Sequence, residues 1–210
     1  MLREDYLDDE FVREMRKRYF REDKLFSLSI KKPVILVIDM QNYFLSPSGK
    51  AYLPSAESFL KRIKNFFNAV KDRVSIIFTQ HCHEGNSLSR WWGDDMRCGG
   101  HGFEIHPELR DFAIEIVRKH TYSAFHETSL HTMLRERGVD TLIITGVMTH
   151  LCCETTARDA VNHGYNVIFP IDGSVTQNRE AHECSLRALS HGFAVTPTLG
   201  DVIEWMHLLE

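Results

Sequence analysis

The sequence predicts an α/β domain in which a mainly parallel sheet is covered by helices on both faces. Three observations carry this prediction. Short, continuous apolar runs alternate with longer segments whose apolar residues recur at helical spacing. Glycines close those longer segments at positions 138, 164 and 192, as they do at helix C-termini. The 210 residues suit one domain of this type and leave little room for another.

Taken in order, residues 8–21 read as a helix with Phe11, Met15 and Tyr19 on one stripe. Residues 1–28 are thus expected to form a helical arm, packed on the domain or on a neighbouring subunit, ahead of a domain of residues 29–210. Residues 33–39 (PVILVID) form the first strand and residues 55–73 a helix with Phe59, Ile63, Phe66, Phe67 and Val70 inward. Residues 74–79 (VSIIFT) are the second strand. Residues 112–119 are the third, although Glu115 interrupts the run. A helix over 128–137 leads to the fourth strand, 141–145 (TLIIT), and a helix over 150–163 follows it. Residues 165–170 form the fifth strand, 179–191 a helix, 193–195 a sixth strand and 201–208 a last helix. Such alternation builds a parallel sheet, and ligands bind such sheets outside the carboxyl ends of the strands.

Composition narrows the function. Hydrophobic residues make up 43% of the chain, enough for a sizeable core, and the net charge of -4 gives no support for a nucleic-acid partner. No apolar run reaches the length of a membrane span. Residues 1–23 are charged and lack the apolar centre of a signal peptide, so a cytoplasmic location is expected. The five cysteines are odd in number, which in such a compartment argues against a disulfide framework. With no CxxC pair, a structural zinc site is not expected.

Three residues fall at strand ends on the ligand-binding edge. Asp39 ends the first strand, Lys119 the third, and Cys152 lies in the turn and helix after the fourth. Each has a bland reading alone: a turn cap, a surface lysine, a core cysteine. Together they supply an acid, a cation and a thiol, the groups required for acyl transfer. A helix N-terminus at Cys152 should stabilise a thiolate and supply N–H groups for an oxyanion. Cys153 shares a face with Ala157, Ala160 and Val161 and reads as packing. Cys152 shares one with Thr155, Thr156 and Asp159.

The segments VIDMQNYF around Asp39, KxxYSAF from Lys119 and TGVMTHLCCETTARDA around Cys152 resemble the isochorismatase-like hydrolases, the superfamily of nicotinamidase and N-carbamoylsarcosine amidase. The resemblance covers roughly residues 30 to 205. It implies a three-layer α/β/α fold around a six-stranded sheet and a homo-oligomer, a dimer or tetramer. It also implies that Asp39 takes the proton of Cys152, that Lys119 orients and balances them, and that a thioester forms on Cys152. A cis peptide between Val147 and Met148, with the backbone N–H groups of Met148 and Cys152 as the oxyanion hole, belongs to the same pattern. The implied substrate is a small amide or ureido compound.

Two departures from the pattern matter. The nicotinamidase branch binds a metal through an Asp-x-His pair after the second strand, whereas this chain has His81 and His83 there. Those two histidines suit a weak metal site or, in preference, substrate contacts, so neither metal nor cofactor is assigned. The YSAF segment and Thr149-His150 resemble the true isochorismatases, vinyl ether hydrolases that lack the cysteine. That activity is the alternative, and a non-catalytic oligomeric binding protein is a third reading that the retained Asp39, Lys119 and Cys152 argue against. Residues 84–106 have no strong period and form a candidate lid. Substrate contacts are expected from Phe44, His81, His83, Trp91, Trp92, Tyr122 and Thr149, although the tryptophans could equally anchor the loop or a subunit interface.

Overall fold

The apolar runs fold into a single sheet in the computed structural model, which describes residues 4–93 and 96–208. Its strands are β1 (Pro33–Ile38), β2 (Ser75–His81), β3 (Glu115–Lys119), β4 (Thr141–Val147), β5 (Asn166–Ile168) and β6 (Ser174–Val175). They run in the order β3-β2-β1-β4-β5, with β6 extending β4, and every pairing is parallel. The central strands are covered on both faces, so β4 is buried throughout and β1 from Val34 onward. The edge strand β3 alternates instead. Val117 and Lys119 are buried while Ile116 and Arg118 are exposed, which is how a strand accommodates Glu115.

The helices are α1 (Asp9–Tyr19), α2 (Glu22–Ser27), α3 (Asn42–Leu45), α4 (Ala56–Val70), α5 (Ser89–Trp92), α6 (Leu130–Glu136), α7 (Glu154–Asn162), α8 (Arg179–Gly192) and α9 (Leu199–Leu208). Helix α4 packs against α9, and α7 against α8. The stripe of α4 is buried from Phe59 to Val70 as its spacing requires. Asp8 caps α1 by accepting the Phe11 N–H at 2.7 Å, and Asn178 caps α8 by accepting the Ala181 N–H at 2.8 Å. The arm packs on its own domain. Phe11, Val12 and Met15 are buried, and Arg16 and Arg18 pair with Asp201 and Glu183.

Some boundaries differ from expectation. The sixth strand is Ser174–Val175; residues 193–195 contribute only a bridge from Val195 to Ile168. The third strand starts at Glu115 because Pro107–Phe112 forms a 3-10 helix. The segment after β4 opens as a wide turn, Thr149–Cys153, before α7 begins. Cys82 and Cys98 are joined in a disulfide, contrary to the expectation from their odd number. An odd count excludes only the pairing of every cysteine, and the loop after β2 folds back far enough to bring these two together: His83 N–H donates to Met96 O at 3.0 Å.

Candidate active site

The sheet order reverses direction between β1 and β4, and the crevice at their carboxyl ends is the switch point of the fold. Asp39 follows β1 there with φ of 49°, a conformation uncommon outside glycine. Gly146, in β4, holds φ of 117° and lies against β1, where a Cβ would meet Ile38 O at 2.1 Å. Only glycine lets the two backbones approach this closely. The next peptide, Val147–Met148, is cis, and the turn it opens carries Cys152.

Lys119 reaches across from β3, and its Nζ pairs with Asp39 Oδ2 at 2.7 Å, with both side chains wholly buried. The same ammonium donates to Thr121 O at 2.9 Å and Tyr122 O at 3.2 Å. Burial opposes its charge, but Asp39 and Cys152 beside it raise its pKa, so it is a fixed cation. Thr79 Oγ1 donates to Asp39 Oδ1 at 2.6 Å and accepts the Asp39 N–H at 3.1 Å. The Cys152 thiol interacts electrostatically with both Asp39 and Lys119. Burial pushes that thiol up to about 12, against the opposing pull of Lys119. This reverses the expectation of a depressed pKa. Cys152 precedes α7 instead of sitting in its first turn, and it is only 6% exposed, so desolvation outweighs any helix dipole. Cys153 is fully buried and its thiol is likewise raised, first by burial.

Above Cys152 lies a narrow pocket lined by Tyr43, Phe44, His81, His83, Trp92, Met96, Tyr122, Met148, Leu151 and Cys152. Of the expected contacts, Phe44, both histidines, Trp92 and Tyr122 line it. Trp91 does not: its side chain is 81% exposed. Thr149 does not either, being buried where its Oγ1 donates to Ser174 Oγ at 3.0 Å. Trp92 faces inward because its Nε1–H donates to Tyr122 OH at 3.1 Å. Adjacent tryptophans on a short helix point in different directions, and the sequence alone does not say which one turns in. Tyr43, Met96 and Leu151 read as ordinary core residues and were not anticipated as pocket wall.

The histidines form a chain of contacts. His81 Nδ1 is 3.5 Å from Lys119 Nζ, His81 Nε2 is 2.8 Å from His83 Nδ1, and His83 Nε2 is 2.8 Å from Gly93 O. Neutral rings with the proton on Nε2 satisfy every contact. Burial, then the Lys119 charge, hold His81 down to about 3. These residues do not fit a metal site. Their ring nitrogens face each other, an ammonium faces Nδ1, and no third His, Cys, Asp or Glu joins them among the described residues.

The Isochorismatase domain family matches residues 33–201. The chain is 38% identical over 173 residues to Nicotinamidase 3 of Arabidopsis thaliana, covering 78% of this chain and 83% of that protein. Among solved structures, an isochorismatase-like hydrolase from Alkaliphilus metalliredigens superposes with TM-score 0.77 at 32% identity, over 83% of this chain and 99% of the other. A cysteine hydrolase from Pseudomonas syringae pv. phaseolicola superposes with TM-score 0.80 at 27% identity, over 85% and 94%.

Proposed function

Because the chain belongs to the isochorismatase family of hydrolases, we propose that it cleaves the C–N bond of a small, flat, uncharged carboxamide through a thioester on Cys152. The observation that carries the reading is the buried contact of Asp39 with Lys119 and Cys152 at the floor of an aromatic pocket. Among the described residues the lining holds no arginine or lysine, so a ureido acid would bring its carboxylate into the pocket without a lining cation to meet it. An aromatic amide such as nicotinamide brings no such charge, and its ring suits Trp92, Phe44 and Tyr122. The likeness to Nicotinamidase 3 supports the same choice.

The raised thiol pKa means that Cys152 rests protonated. As Sγ bonds to the carbonyl carbon, its proton passes to Asp39. Backbone N–H groups of Met148 and Cys152 receive the oxyanion. Asp39 then returns the proton to the amine as the C–N bond breaks, later takes one from the water that opens the thioester, and passes it to the departing Cys152 sulfur. Lys119, held protonated, serves as a fixed cation and not as a base. Each step draws only on groups of this chain, so turnover should survive exhaustive chelation.

The test is ammonia release from a pyridine carboxamide, compared with an N-carbamoyl amino acid and with pyruvate release from isochorismate. The carboxamide is expected to be the substrate, and Cys152→Ala and Asp39→Asn should each lower kcat by roughly a thousandfold or more. Efficient pyruvate release, undiminished in Cys152→Ala, would replace this reading with vinyl ether hydrolysis.

A further inference from the structure

The loop between β2 and β3 supplies two walls of the pocket, Trp92 and Met96. Both lie inside the ring closed by the Cys82–Cys98 disulfide. Cys82 sits between His81 and His83 and is anchored by its backbone, with its N–H donating to Lys119 O at 3.1 Å. Within the ring, His83 N–H donates to Met96 O and His83 Nε2 lies 2.8 Å from Gly93 O. Outside the ring, Asn86 Nδ2 donates to His120 O at 3.0 Å and Trp92 Nε1–H to Tyr122 OH at 3.1 Å, both on the segment just after β3. The two sulfurs differ in access: Cys82 is fully buried and Cys98 is exposed. His120 Nδ1 stands 2.9 Å from Cys82 O and 3.6 Å from Cys82 Sγ.

We propose that Cys82 and Cys98 form a reversible thiol–disulfide site whose closure holds Trp92 and Met96 against the substrate. The inference rests on the reading of that pocket as the substrate site. The partner is a dithiol, small or protein-borne. Its thiolate attacks the accessible Cys98 Sγ, forming a mixed disulfide and expelling Cys82 as a thiolate, which the His120 N–H is placed to receive. The second thiol of the partner then displaces Cys98 and closes the partner's own disulfide. Two electrons and two protons pass from partner to protein, leaving two thiols. With the ring open, the loop loses its covalent tie, whereas Asp39 just after β1, Lys119 at the end of β3 and Cys152 in the turn after β4 lie outside the ring. Reduction should therefore weaken substrate binding and leave the chemical step nearly unchanged.

The experiment uses the full chain with Cys184→Ser, which removes the exposed third thiol, equilibrated in oxidised or reduced dithiothreitol. Peptide mapping without reduction should find Cys82 linked to Cys98 in the oxidised form. Hydrogen exchange over residues 83–93 should speed up on reduction. KM should rise roughly threefold or more with kcat within about twofold. Cys98→Ser should show the high KM in both buffers. Equal KM and equal exchange in the two buffers would overturn the proposal, and so would free thiols at both positions in the oxidised form. A reduced form that binds one zinc ion through Cys82, Cys98 and His120, with KM the same in both buffers, would make this a metal site and equally overturn it. Mapping and exchange need no turnover, so a failure of the proposed amidase chemistry is distinguishable from a failure of the switch.

Discussion

Thr79 has no part in any motif, yet it makes the closest contact to the proposed base. Its hydroxyl donates to one oxygen of Asp39 and accepts the N–H of the same residue. Thr79→Val keeps the shape and removes the donor that fixes Asp39 Oδ1, so the carboxylate loses part of its orientation. The variant should lower kcat roughly tenfold, the scale of one hydrogen bond to a charge, with KM nearly unchanged. Steady-state kinetics of the variant against the parent check this, and an unchanged kcat would mean that Thr79 does not position the base. Asp39, Lys119 and Cys152 were legible in the sequence because each ends a run of strand or opens a turn at one edge. Their protonation was not legible. A thiol's pKa depends on how completely neighbours from other elements exclude water, and spacing along the chain does not contain that.

At the level of elements, the N-terminal segment is tied to α8 through a buried histidine. Tyr6 OH lies 3.0 Å from His182 Nδ1 and accepts the Thr176 N–H at 2.8 Å, while His182 Nε2 lies 3.0 Å from Ile171 O. A neutral ring with its proton on Nε2 donates to Ile171 O and accepts from the tyrosine hydroxyl at Nδ1. Burial holds His182 down to about 4, whereas an unfolded histidine titrates near 6.5. Its contribution is complete above the unfolded value and is lost as pH falls towards the folded one, because the unfolded chain takes up the proton first. By pH 5.5 the loss should be about 1 kcal/mol from this residue alone, and His81 adds a loss of the same sign. Denaturant melts of the parent and His182→Gln at pH 7.5 and 5.5 measure it; the variant should lose less stability between the two. The strands with continuous apolar runs and the long amphipathic helices were legible from periodicity. The short elements were not. Ser174–Val175 is too brief to show a period, and it pairs with β4 only because the chain after β5 turns back beside Gly146, whose N–H meets Gly173 O at 2.9 Å.

For the whole molecule, the pocket lies where the sheet reverses, so its lining is delivered by β2, by the segments after β1, β3 and β4, and by the loop before β3. No helix among the described residues is long and apolar enough to cross a membrane. A ligand that binds only the folded chain stabilises all of it by mass action, by about 2.7 kcal/mol at one hundred times its dissociation constant. An aldehyde in which hydrogen replaces the amide nitrogen of the proposed substrate should be such a ligand. It can accept the Cys152 sulfur at its carbonyl carbon, and the adduct has no amine to expel, so the reaction stops at a thiohemiacetal. For a chain of this size each kcal/mol is worth roughly 2–4 °C, so saturation at that level should raise Tm by about 5–10 °C. The same aldehyde should leave Cys152→Ser nearly unshifted, while Cys153→Ala, altered only in packing beneath the site, should keep the full rise. A shift retained in Cys152→Ser would mean that the pocket holds the ring without using the sulfur, and the thioester route would fall even if binding stood.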